Sequence, residues 1–94
     1  MSRIYRSKAE YVENLKVVLN AREEFKDLEY HKHPSTQEEF LFMSVVTGEV
    51  YMFDITGYKD EAIFHTMAML ECGQRPENQI TDRDKRLELG KLFN

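Results

Sequence analysis

Apolar residues recur along this chain at two periods, and the change of period divides it into elements. Tyr11, Val12, Leu15, Val18, Leu19, Phe25 and Leu28 fall mostly three and four positions apart. That spacing makes one stripe on a helix, with Glu13, Asn14, Lys16, Asn20, Glu23, Glu24 and Lys26 on the outer face. Arg22 interrupts the stripe and is expected to run along its edge. Ser7-Lys8-Ala9-Glu10 has the form of a capping box, in which a hydroxyl and a carboxylate three residues on satisfy free backbone N–H groups. The pattern predicts a helix over about 8–28. Tyr30 to Gln37 reads as a connector, because His33 precedes a proline and Pro34, Ser35 and Thr36 favour turns.

The pattern then changes. Glu39–Val46 and Glu49–Ile55 are rich in Phe, Val, Tyr and Ile, and Thr47-Gly48 lies between them. This predicts a β-hairpin over about 39–55 with a two-residue loop. With Val46 opposite Glu49, Leu41, Met43, Val45, Val50 and Met52 share one face. Phe40, Phe42, Ser44, Tyr51, Phe53 and Ile55 share the other. Both faces are then apolar. An antiparallel ribbon with one wet face alternates apolar and polar residues, so this one needs cover on both sides.

Asp60 is placed to start a helix over about 61–72, with Ala62, Ile63, Phe64, Met67, Ala68, Met69 and Leu70 around most of its girth. Gly73 suits the position just past its end. After a loop at Gln74–Gln79, Thr81 is positioned to cap a last helix over about 82–92, whose final turn is weakened by Gly90. The order α-β-β-α-α, with strands and helices grouped, indicates an α+β fold. At 94 residues the chain fits one domain spanning 1–94.

Charge narrows the functional classes. Seventeen acidic against thirteen basic residues give a net charge of −4, so nucleic acid and anionic membrane exert no global attraction. No run approaches the ~18 apolar residues of a membrane span, and no signal-peptide pattern follows the N-terminal basic residues. With a single cysteine, Cys72, a reducing cytoplasmic setting is expected.

Candidate chemistry is sparse. His31, His33, His65 and Cys72 are zinc-type ligands, but His65 and Cys72 lie two helical turns apart, too far to share one ion. Cys72 also falls at a helix C-terminus, where the dipole disfavours a thiolate, so burial as a small apolar residue is expected. Asp54, beside Leu41 in the proposed register, is expected to hold the turn at Thr56-Gly57. The four glycines are scattered, which gives no phosphate loop, and no hydrolase, zinc-protease or Cys-x-x-Cys motif occurs. No cofactor, metal or catalytic residue is assigned.

The leading expectation is therefore a non-catalytic protein-binding module, regulatory or inhibitory, acting as a homodimer. Two apolar ribbon faces and an apolar helix at 61–72 exceed what a short, half-charged last helix can cover, and surplus apolar area marks interaction sites. Phe40, Phe42, Tyr51, Phe53, Phe64 and Met67 are its candidate residues, divided between core and interface. A symmetric dimer would pair hairpin edges into a four-stranded sheet or pack these faces together. The first alternative is nucleic-acid binding through Arg3, Arg6, Arg75, Arg83, Arg86 and Lys91, although Glu77, Asp82, Asp84 and Glu88 interleave with the C-terminal set. The second is a metal protein or small enzyme using His31, His33 or His65.

Overall fold

Ser7 begins the first helix as its hydroxyl suggests, its Oγ accepting a hydrogen bond from the Glu10 N–H at 3.2 Å. A computed structural model describes residues 7–19 and 27–93. It is an α+β domain with the order α1 (Lys8–Leu19), β1 (Asp27–Lys32), β2 (Glu39–Ser44), β3 (Val50–Asp54), α2 (Asp60–Glu71) and α3 (Arg83–Phe93).

The expected 8–28 helix is thus corrected. Residues 20–26 lie outside the described residues, and Asp27 and Leu28 belong to a strand. In β1, Leu28 and Tyr30 alternate with Glu29 and His31, a period of two. Pairing with β2 sets Leu28 opposite Met43 and Tyr30 opposite Leu41. Leu28 is fully buried there. The connector expected from Tyr30 is strand as far as Lys32. A turn follows, closed by the His33 N–H on the Glu38 carbonyl at 2.7 Å.

The hairpin register also differs from the expected one, by one residue. Val45 N–H donates to the Glu49 carbonyl and Gly48 N–H to the Val45 carbonyl, so the loop is Val46-Thr47-Gly48, three residues long. Gly48 sits at φ 87°, the left-handed conformation that a turn of this length requires. A one-residue slip exchanges the faces of one strand. Leu41 therefore faces Phe53, Met43 faces Tyr51, and Asp54 lies opposite Phe40 rather than Leu41.

This register sorts the core. On one side of the three-stranded sheet, Leu28, Leu41, Met43, Phe53 and Ile55 pack with Tyr11, Val12 and Leu15 of α1 and Ile63 and Met67 of α2. On the other side, Phe40 and Met52 pack with Ile80 and with Leu89 of α3, and Phe42 and Phe93 lie against them. The sheet is the middle layer of three. α1 and α2 lie on the same face of the sheet, and α3 lies on the opposite one. α3 manages this despite its charge because Leu89 and Phe93 fall one turn apart on a single side.

Local chemistry fixes the ends. Lys8 pairs with Glu39 and donates to the Ile55 carbonyl at 2.8 Å, joining the start of α1 to the sheet. α2 ends in a Schellman turn: Gly73 N–H bonds Leu70 O at 3.0 Å and Gln74 N–H bonds Met69 O at 2.9 Å, with Gly73 at φ 79°. Asp82, not the expected Thr81, caps α3 by accepting from Asp84 N–H at 3.0 Å and Lys85 N–H at 3.4 Å. The segment before it bridges Gln79 to Phe53, with Ile80 N–H on Met52 O and Asp54 N–H on Asn78 O. One hairpin edge is therefore occupied by β1, and the other is partly occupied by this bridge.

Candidate functional site

The residues expected to carry function divide sharply. Phe40, Phe53 and Met67 are enclosed in the core. Phe42 and Tyr51 are half-buried, and Phe64 stands out from α2 at 54% exposure. The Tyr51 hydroxyl donates to Glu49 at 2.7 Å. That hydrogen bond, with burial and the Glu49 charge, raises the Tyr51 pKa above the usual 10.0, and Arg75 acts in the opposite sense. Burial, then the Glu39 charge, raises that of Tyr30.

Two of the histidines have structural tasks. His33 Nδ1 accepts from the Ser35 and Thr36 N–H groups at 3.1 and 3.2 Å, holding the turn after β1. His31 stacks on Phe93 with centroids 4.6 Å apart and planes 13° from parallel, and its Nε2 lies 3.1 Å from Glu29. His65 is exposed on α2. Cys72 is exposed too, which corrects the expectation of burial. Among the described residues, no three His, Cys, Asp or Glu side chains come together as a metal site requires. Asp54 holds its turn as expected, accepting from the Thr56 N–H at 3.0 Å and hydroxyl at 2.6 Å.

Among the described residues, the basic ones do not form one patch. Arg3 and Arg6 lie outside the described residues. Arg75 sits beside Tyr51 and Leu70, on the α2 side of the sheet. Arg83 and Arg86 project from α3 on the opposite side, next to Phe42.

Among the described residues, three of the recesses compete as binding sites. A polar groove of about 450 Å³ runs along Asp54, Tyr58, Asn78 and Asp82. Most of these groups are already engaged: Asp54 with Thr56, Asp82 with the start of α3, and Asn78 with Thr66 and the Asp54 carbonyl. A second, of about 330 Å³, lies between α2 and Pro76, with His65 at its rim. The third, of about 370 Å³, opens between α3 and the sheet, lined by Phe42, Val50, Met52, Arg83, Arg86 and Leu87. Its walls are mainly apolar, and Val50 (41%) and Leu87 (54%) stay open to solvent. This mix of apolar walls with a few polar groups is the usual make-up of a binding recess. The Arg86 Nε is sealed from solvent with no described acceptor.

Of this groove, sequence reasoning found Phe42, Arg83 and Arg86 but placed them in different hypotheses. It missed Val50, Met52 and Leu87. Their signal was the hairpin register, which puts Phe42, Val50 and Met52 on one face only when the loop has three residues. No family model, curated protein or solved structure matches the chain.

Proposed function

We propose that this chain is a protein-binding module without catalysis, receiving an apolar segment of a partner protein in the groove between α3 and the sheet. The supporting observation is the exposure of Val50 and Leu87 beside half-buried Phe42, in a protein whose sheet faces are otherwise closed by its own helices. Exposed apolar area that is walled and continuous is typical of interaction sites. The engagement of His31, His33 and Asp54 in packing and turns supports the non-catalytic part. A reducing cytoplasmic setting belongs to the same proposal: Cys72 is exposed and the chain has no second cysteine to pair with it.

The homodimer drew its support from uncovered sheet faces. With most of both faces covered, that support narrows to this groove and to exposed apolar residues elsewhere, such as Val17, Val18, Val46 and Phe64. Among the described residues, no helix is long and apolar enough to cross a membrane.

The test is selection of random displayed peptides on the whole chain. Peptides that bind the wild type, lose binding to Val50→Asp and Leu87→Asp and keep it to Phe64→Asp support the reading. A selection yielding no peptide, or only peptides indifferent to Val50 and Leu87, contradicts it. Sedimentation at micromolar concentration tests the second copy as occupant: a species of 11.2 kDa at all loadings removes the dimer.

A further inference from the structure

We infer that the groove recognises a carboxylate: its partner segment carries an aspartate or glutamate flanked by aliphatic or aromatic residues. Arg86, with Arg83, holds the acid, while Phe42, Val50, Met52 and Leu87 hold its neighbours. The inference rests on the reading of this groove as a protein-docking site.

Charge complementarity carries it. Arg83 and Arg86 lie three residues apart, neighbours on one helix face, and both line the groove. Neither forms an ion pair with a described residue. The Arg86 Nε–H is removed from water and lacks a described acceptor. A cationic donor withdrawn from water without an acceptor is unfavourable, and an anion brought against the same guanidinium offsets part of that cost.

The acids of α3 do not supply that anion. Asp82 accepts from the backbone at the start of the helix. Asp84 and Glu88 are exposed, and neither lines the groove. Two guanidinium groups beside apolar walls match a carboxylate in geometry, because the arginine fork binds both oxygens. The walls also lower the local dielectric and strengthen the contact.

A nucleic-acid backbone fits less well. It calls for a run of cations, whereas Arg75 lies across the sheet, and the floor of the groove is aliphatic and aromatic. The chain as a whole carries a net charge of −4, so the groove is a local exception, suited to one acid rather than a general anion sink.

The experiment sequences the peptides selected on the full chain and measures their affinity. The expected peptides carry Asp or Glu beside Leu, Ile, Val or Phe. Changing that acid to its amide weakens binding about tenfold or more, as loss of a charge-assisted hydrogen bond should. Arg86→Gln has an effect of the same size, and the two changes together cost little more than either alone, which marks direct contact. Arg83→Gln, at an exposed position where folding is insensitive, weakens binding in the same direction. Arg75→Gln leaves it unchanged.

Groove-binding peptides that lack an acid, or that are indifferent to both arginine changes, overturn the carboxylate assignment and leave the docking reading standing. Absence of any groove-binding peptide overturns both. Duplex DNA that binds at low salt, loses binding on Arg86→Gln and displaces the peptides would assign the arginines to phosphate instead.

Discussion

Leu89→Ala tests whether α3 truly closes the second face of the sheet. Leu89 is 7% exposed and packs with Phe40, Met52 and Ile80. Truncation to alanine removes three carbons, about 2.4 kcal/mol of transfer free energy at ~0.8 kcal/mol for each. The cavity left between Phe40 and Met52 adds to this, giving an expected loss of about 3 kcal/mol. That is a large share of the roughly 5–14 kcal/mol expected for a chain of this length.

Urea unfolding followed by circular dichroism is the assay. With a slope of about 1–2 kcal/mol per molar for a small domain, the midpoint should fall by about 1.5–3 M. Hydrogen exchange adds a spatial readout: α3 and Ile80 should lose protection before Leu41, Met43 and Phe53 do, because those residues remain packed on α1 and α2. Leu87→Ala is the control on the same helix, exposed at 54% and expected to change stability by less than about 1 kcal/mol. A Leu89→Ala loss below about 1 kcal/mol, or one equal to the control's, would refute the three-layer packing.

Three further outcomes follow from local structure. Gly48→Ala should cost about 1–2 kcal/mol from its positive φ alone, since an added Cβ meets nothing within 4 Å; thermal unfolding reads it. Asp82→Ala removes the acceptor from two N–H groups at the start of α3 and should cost about 1 kcal/mol, whereas Thr81→Ala should be near neutral by the same measurement. Tyr30 and Tyr51 both titrate above the usual 10.0, so the folded state holds their protons more tightly than the unfolded one. Their contribution to stability is complete below that value and is lost as pH rises through the folded pKa values. Unfolding experiments should therefore show stability falling from about pH 10 upward, less steeply in Tyr51→Phe.

The elements with chemical punctuation were legible in the sequence. Ser7, Gly73 and the Asp54-Thr56 turn do what their residue types suggest, because capping and turn chemistry act over two or three residues. β1 was not legible. Leu28 continues the spacing of the preceding helix, and only pairing with Met43 reveals it as strand. The hairpin was legible in existence but not in register, since Thr47-Gly48 closes a two-residue and a three-residue loop equally well on paper. The slip had functional weight: it hid the convergence of Phe42, Val50 and Met52 on one face. The apolar character of both sheet faces was read correctly. How far α3 covers the second face was not legible: of its four apolar residues, Leu89 and Phe93 pack with Ile80 over Phe40 and Met52, while Leu87 stays exposed beside Val50.

The most direct measurement is a backbone amide NMR titration of the labelled chain with its tightest selected peptide. Shifts should concentrate at Phe42, Val50, Met52, Arg83, Arg86 and Leu87, with Phe64 and Arg75 unmoved. Shifts centred on α2 around Phe64, or spread across the basic residues on both sides of the sheet, would contradict docking in the groove.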